Sequence, residues 1–195
     1  MTAPNQALRA DAARNVDAIL TAAAEVFGEL GADAPLDEIP RRAGVGRATM
    51  HRRFPTREHL FAAILRSQVD TLVDAAEART GAEDPWGALL EWIGAYEEIG
   101  APYRGMSARL SAALLEQASP VGELCAPMRT AFDVLFRRAQ DLARVRRDIS
   151  SADVLAIISA LPRDPETGRA RTAHLTVVLD GLRRPAPESA RSLTE

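Results

Sequence analysis

The chain has 195 residues, of which 47% are hydrophobic and 26% charged, and its formal net charge is -3. It can therefore bury a core, and its acidic balance argues against a general polyanion binder, which would be basic throughout. Only 5% of the residues are aromatic, and the many Ala and Leu residues favour helices over sheet. We predict an all-α protein.

The single cysteine, Cys125, cannot form an intrachain disulfide, which indicates a reducing compartment. We find no basic leader followed by an apolar run, no apolar stretch of membrane-spanning length, and no Cys/His spacing typical of zinc. We therefore expect a cytoplasmic protein with no membrane segment, no metal and no cofactor.

Residues 1–8 are expected to form a flexible tail. From about Asn15, apolar residues recur at the three-and-four spacing of one helix face, up to Leu30, and Gly31 should end this helix. A second helix should begin near Pro35. Pro40 would then lie in its second turn and cost about 3 kcal/mol in a regular interior, so we predict a tightened or kinked turn there.

The segment from Arg41 to Leu60 combines helix signals with concentrated positive charge. It contains six arginines and no acidic residue between positions 41 and 57. Gly44-Val45-Gly46 should join two short helices, with Gly44 in the left-handed conformation. Met50 and Phe54, four residues apart, should turn inward and leave the opposite face for a DNA groove. The pattern predicts a DNA-reading helix-turn-helix.

Beyond Pro55, Thr56 should cap a long helix from 57 to about 80. Further helices are expected from Pro85, from Met106 to Gln117, from about Ser119 to Arg147, and over about 151–161 and 168–182. We divide the chain into a three-helix helix-turn-helix domain at 9–60 and a larger helical ligand-binding and dimerisation domain of about six helices at 61–183. Residues 184–195 should be a second flexible tail.

The segment from Asn15 to Phe61 resembles the DNA-binding domain of TetR-type bacterial repressors. The resemblance rests on Leu36-Asp37-Glu38-Ile39, Arg42-Ala43-Gly44-Val45, Thr49, Phe54-Pro55, Glu58 and Leu60-Phe61. Pro40, Gly46 and His51 stand where the family usually has Ala, Ser and Tyr. The resemblance implies that Arg47, Ala48, His51 and Arg52 meet base edges, and that Thr49, Arg53 and Arg57 lie near phosphates. An arginine side chain can donate to O6 and N7 of guanine, and the alanine methyl group can contact the methyl group of thymine.

Aromatic and sulfur side chains are concentrated in the C-terminal helices. Such stripes are usually core packing, but the resemblance to TetR-type proteins implies a cavity for a small, largely apolar effector. The candidate ligand-binding residues are Trp86, Trp92, Tyr96, Tyr103, Met106, Leu110, Met128 and Phe132. Cys125 has apolar neighbours in the sequence, which favours an inert buried thiol over a redox switch.

The last two predicted helices each carry one apolar stripe. A twofold partner would complete a four-helix bundle with them, and the resemblance also implies a homodimer. The candidate dimerisation residues are Val154, Ile158, Leu161, Leu175, Val178, Leu179 and Leu182.

The favoured function is a ligand-responsive, sequence-specific repressor that binds a palindromic double-stranded operator as a homodimer. A non-specific architectural DNA-binding protein is an alternative, although residues 61–195, with 16 Arg against 19 Asp and Glu, should repel DNA. An enzyme is the least favoured interpretation, because Gly44-Val45-Gly46 follows a helix and lacks the third glycine of a dinucleotide site.

Overall fold

The computed structural model describes residues 3–99, 101–103, 105, 118–164, 166–167 and 169–183. Within these residues there are eight helices and no strands, which confirms the all-α prediction. The helices are α1 (Ala3–Leu30), α2 (Glu38–Ala43), α3 (Arg47–Arg53), α4 (Arg57–Arg79), α5 (Pro85–Glu98), α6 (Pro120–Asp141), α7 (Ser151–Ala160) and α8 (Thr172–Leu182). The helix expected from Met106 to Gln117 and the tail 184–195 lie outside the described residues.

The first helix begins much earlier than its apolar pattern indicates. It starts at Ala3 instead of near Asn15, so residues 3–8, which we expected in a tail, are helical. Alanine-rich sequence has high intrinsic helix propensity, and the apolar pattern marks only the part of a helix that is buried. At its other end Gly31 has a φ of 86°, and its N–H bonds the Phe27 carbonyl at 2.9 Å, as predicted for a helix stop.

The second helix begins at Glu38, not at Pro35. The preceding residues form a tight turn, in which the N–H groups of Glu38 and Ile39 bond carbonyls three residues earlier. Pro40 therefore lies in the first turn of the helix, where its missing N–H removes no intrahelical hydrogen bond. The tightened turn exists, but it precedes Pro40.

Helix α4 connects the two regions of the molecule, because it runs without a break across the predicted domain boundary at residue 60. At its start Phe61 packs against Phe27 of α1, with the ring centroids 4.7 Å apart. Farther along, α4 packs extensively against α6 and also against α5. The Trp92 indole N–H donates to the Leu72 carbonyl at 2.9 Å, which fixes α5 against α4.

The long helix α6 ends at Asp141, six residues before the predicted end at Arg147. Ala143 adopts a φ of 56°, and the N–H groups of Arg144 and Val145 return to the Ala139 carbonyl at 2.9 and 3.2 Å. Val145 is completely buried, so the chain turns inward and the arginines that follow lie in a loop. None of the described helices is both long and apolar enough to cross a membrane.

Candidate nucleic-acid interface

The turn between α2 and α3 is fixed by its own backbone. Gly44 has a φ of 66°, and the Val45 N–H bonds the Pro40 carbonyl at 3.1 Å. Gly46 is extended and offers no side-chain cap, while its carbonyl accepts from the N–H groups of Thr49 and Met50 at 2.9 and 3.2 Å. The left-handed conformation predicted for Gly44 is confirmed, and the turn sets the angle at which α3 leaves α2.

The third helix buries one face and exposes the other, as predicted. Met50 is 1% exposed and Phe54 7% exposed, and both belong to the hydrophobic core. The opposite face carries no acidic side chain: Arg47, Ala48, His51, Arg52 and Arg53 are exposed, and Thr49 is half-buried. A short helix with these donors outward has the chemistry needed to meet base edges and phosphates in a major groove.

Three arginines of the segment from Arg41 to Leu60 form ion pairs with carboxylates of the same protein. Arg47 lies 2.9 Å from Asp37, and Arg41 pairs with Glu38. Arg42 donates to both oxygens of Glu29 at 2.8 and 2.6 Å, and these hydrogen bonds lower the pKa of the Glu29 carboxyl. Such pairs offset much of the local positive charge, which leaves the end of α3 as the more available cationic surface.

Arg57 has partners inside the protein. Its guanidinium Nη1 donates to the carbonyls of Ala32 and Ala34, each at 2.8 Å, and its Cζ lies 5.7 Å from the centroid of the Phe27 ring. The side chain is half-buried and ties the loop after α1 to the first residue of α4. These contacts give Arg57 a structural role and argue against its expected phosphate contact.

Thr56 occupies the cap position before α4 but makes no hydrogen bond to a helix N–H, contrary to the prediction. Its hydroxyl instead lies 2.9 Å from Nδ1 of His59. The first N–H groups of α4 consequently have no side-chain cap from Thr56.

Two family models together match most of the chain. Residues 19–64 match the model described as bacterial regulatory proteins, tetR family, and residues 84–184 match the model of the SbtR-like transcriptional regulator C-terminal domain. The chain belongs to the TetR family of bacterial transcriptional regulators. Comparison with curated protein sequences gives no match.

Solved structures of TetR regulators resemble the chain over nearly its whole length. A TetR transcriptional regulator from Streptomyces coelicolor is 34% identical, with a TM-score of 0.53, over 87% of this chain and 99% of that one. One from Mycobacterium vanbaalenii is 31% identical, with a TM-score of 0.51, over 90% and 99%. The regulator PfmR from Thermus thermophilus, at 22% identity over 85% and 99% with a TM-score of 0.52, shares the fold.

In this TetR-family chain the aromatic candidates for ligand binding lie partly together. Trp92 stacks on Tyr96 and on Phe132, with centroid separations of 5.6 and 4.5 Å, and Met128 is also buried. Trp86 is half-buried, and the centroid of its ring lies 5.9 Å from the Arg183 guanidinium carbon. Tyr103 is half-buried, and Met106 and Leu110 are outside the described residues.

Buried polar groups accompany the aromatic stack. The Tyr96 hydroxyl lies 2.6 Å from that of Ser159, and burial raises the Tyr96 pKa to about 12. Burial likewise raises the pKa of the Cys125 thiol to about 11, which agrees with the predicted inert thiol because thiolate is the reactive form. Among the described residues, no cluster of His, Cys, Asp and Glu could hold a metal ion.

The candidate dimerisation residues do not form one exposed stripe. Val154, Ile158 and Leu182 are at most 2% exposed in the single protomer, which contradicts their assignment to an interface. For Val154 and Ile158 the reason is that α7 packs on α6. Leu161, Leu175, Val178 and Leu179 are half-buried. The large apolar side chains that are exposed on α7 and α8 are Ile157, at 41%, and Val177, at 72%.

The pattern of residues did not indicate the buried ion pair near the end of α5. Glu97 is 2% exposed, and its Oε2 accepts from Nη1 of Arg163 at 2.6 Å and from the Ala170 N–H at 2.7 Å. The same loop is closed by an isolated bridge between Arg163 and Ala170. Glu97 therefore ties the connection between α7 and α8 to α5. The one signal in the sequence was that Glu97, an acidic residue, occupies an inward-facing position of its helix and so requires a buried partner.

Proposed function

We propose that this TetR-family regulator is a ligand-responsive, sequence-specific transcriptional repressor. It binds a palindromic operator as a homodimer and is released by a small, largely apolar effector. The observation that carries the proposal is the exposed face of α3, which presents Arg47, Ala48, His51, Arg52 and Arg53 without an acidic side chain. A protein with this function acts in the bacterial cytoplasm, where the operator is.

The groove-reading surface is narrow, which supports sequence-specific over architectural binding. The neighbouring arginines Arg41 and Arg42 are neutralised by Glu38 and Glu29. A protein that binds DNA mainly through phosphates needs many free cations, whereas reading bases requires a few well-placed side chains. We therefore propose that the short outward face of α3 supplies the specificity.

Helix α4 is the element that would couple effector and operator. Its first residue, Arg57, holds the loop after α1, and its middle accepts the Trp92 indole N–H. An effector that separates or turns the Trp92, Tyr96 and Phe132 rings would displace α4, and a displaced α4 would move α3. We propose that the boundary near residue 60 divides these two roles without interrupting the helix.

The dimer would be formed through α7 and α8. Ile157 and Val177 are apolar side chains that this protomer leaves exposed, and burial of apolar surface drives association. A twofold dimer would place two copies of α3 about one helical turn of DNA apart, so that they read the two halves of a palindrome.

Selection of bound sequences from random duplex DNA tests the proposal. We expect enrichment of a palindromic sequence whose half-sites are about 10 base pairs apart, with a stoichiometry of two chains per site in sedimentation. Heat-melting the protein against a metabolite panel should then find a compound that raises the melting temperature and releases that DNA. Failure to enrich any sequence would refute sequence-specific repression and favour the architectural alternative.

A further inference from the structure

A cleft of about 600 Å³ separates the N-terminal part of α1 from α3. Arg9, Ala12 and Ala13 line it from α1, and Arg52 and Arg53 line it from α3. The cleft lies beside the outward face of α3, on the side where α1 extends beyond the three-helix core. No role in the proposed function so far accounts for this part of α1.

Residues 9–15 of α1 bury almost none of their surface. Residues 9–15 are helical and exposed, and the first fully buried side chain of the helix is Ile19. Isolated helical turns are marginally stable in water, so this segment depends on continuity with the anchored part of α1 and on the high propensity of Ala10, Ala12 and Ala13. A rigid segment that adds nothing to the core can still present a side chain, and here that side chain is Arg9.

Positive charge predominates in the cleft. Three guanidinium groups line it, those of Arg9, Arg52 and Arg53, against the single carboxylate of Asp17. In the part of the chain that the structure describes, none of these three arginines has a carboxylate partner. Guanidinium forks bind phosphate oxygens with charge-assisted hydrogen bonds, so the cleft attracts phosphate.

The shape of the cleft fits a phosphate that carries an organic group. Ala12 and Ala13 have small side chains that leave the space open, and Val16 and Ile19 give it an apolar wall. A sugar-phosphate backbone presents anionic oxygens next to the carbon edge of deoxyribose, which matches a cationic rim over an apolar wall. A compact hydrated anion would make no use of that wall.

We infer that the cleft between α1 and α3 is a binding site for a phosphodiester of the DNA backbone, with Arg9 as the cation supplied by α1. The site lies next to the bases that α3 would contact, and it adds a contact with the sugar-phosphate backbone of the DNA. The inference rests on the proposed function, because α3 must enter the groove for the cleft to reach the backbone. A free phosphate anion has the same charged group and is the other source to be tested.

The test compares Arg9→Ala with a matched control, Arg14→Ala. Arg14 is on the same helix and exposed, but it pairs with Asp11 and does not line the cleft. DNA affinity is measured against salt concentration on the selected operator and on a shuffled duplex of equal length. Arg9→Ala should reduce the slope of log affinity against log salt by about one unit and weaken both duplexes alike.

In the same measurement Arg14→Ala should keep the wild-type slope, and Arg9→Lys should restore most of what Arg9→Ala loses. A wild-type slope for Arg9→Ala would overturn the inference. So would an equal reduction in Arg14→Ala, because the effect would then be one of general charge. Arg9 is exposed, so an unchanged melting temperature of the free variant should confirm that its fold is intact.

A measurement with inorganic phosphate distinguishes a DNA phosphodiester from a free phosphate anion as the ligand of the cleft. If free phosphate is the ligand, phosphate should raise the melting temperature of the DNA-free protein above that in chloride at equal ionic strength, and Arg9→Ala should abolish the rise. That result with an unchanged DNA slope would overturn the backbone assignment. Equal melting temperatures with a reduced DNA slope support it. If the wild type binds operator and shuffled DNA equally, the proposed function fails, while the slope on shuffled DNA still tests the cleft.

Discussion

The Arg47 guanidinium lies 2.9 Å from the Asp37 carboxylate, across the turn that joins α2 to α3. The two side chains are 68% and 60% exposed, so water screens the pair and it can open at little cost. When α3 enters a groove, Arg47 can contact a base edge only if its ion pair with Asp37 breaks. If the pair stays formed, the Asp37 carboxylate is brought close to the negatively charged phosphates. Asp37 is therefore expected to compete with DNA for Arg47.

Substitution of Asp37 by Asn should raise operator affinity by about two- to fivefold, the range expected for an exposed ion pair. Fluorescence anisotropy on the selected operator measures the change. The control is Glu38→Gln, which removes the same charge one residue away but releases Arg41. The gain from Asp37→Asn should disappear in an Arg47→Ala background. An equal gain in that background, or in Glu38→Gln, would show that Asp37 acts only through general charge.

Arg47 and Arg53 should affect DNA binding in different ways. Arg47→Ala is expected to cost about 1 to 3 kcal/mol at particular base pairs and to relax the preference there, because a side chain on a base edge reads sequence. Arg53→Ala should weaken binding to all sequences alike and reduce the salt slope by about one unit. Affinities for a set of singly mutated operators measure both effects. Identical profiles for the two variants would contradict the division of roles.

Arg57→Ala should destabilise the protein without changing the salt dependence of its DNA binding. The variant loses two hydrogen bonds from a charged donor, worth about 2 kcal/mol of the free energy of unfolding. Urea unfolding measures the loss, and Arg66→Ala, at an exposed position of the same helix, is the control that should change little. A normal stability with a salt slope reduced by one unit would restore the phosphate contact implied by family resemblance.

The buried pair of Glu97 and Arg163 should be strongly coupled. Glu97→Ala leaves the Arg163 guanidinium, itself only 20% exposed, without its carboxylate, and should lower the free energy of unfolding by about 3 to 5 kcal/mol. The double variant should cost clearly less than the sum of the two single ones, because both remove the same interaction. Additive costs in urea unfolding would indicate that the two residues stabilise the fold independently.

Local patterns predicted the helix-turn-helix well because its determinants are close together in the chain. The left-handed conformation of Gly44 depends on that residue alone. Met50 and Phe54 lie on the same face of α3 because they are four residues apart. The start of α2 was misplaced by three residues, since turn hydrogen bonds between residues 35 and 39 compete with helix at a proline. That competition is decided by packing, which a pattern of residue types does not contain.

Contacts between distant residues could not be predicted in this way. The partners of Arg57 are carbonyls 23 and 25 residues earlier, and any arginine beside a basic turn has the same residue pattern as a phosphate ligand. Val154 and Ile158 show the same limit, because an apolar helix stripe indicates burial but does not indicate whether it packs on its own protomer or on a second copy. Only the arrangement of α6 against α7 distinguishes the two.

Val177→Arg is the sharpest test of the proposed dimer, because Val177 is 72% exposed and its replacement should not disturb the protomer core. We expect monomers in sedimentation with a nearly unchanged melting profile at low protein concentration. Operator affinity should fall sharply, since two linked half-site contacts become separate ones. The control is Val134→Arg, an exposed apolar position on α6, at 50%, which should leave the dimer intact. A Val177→Arg dimer of wild-type stability would place the interface on another surface, whereas dissociation by Val134→Arg alone would place it on α6.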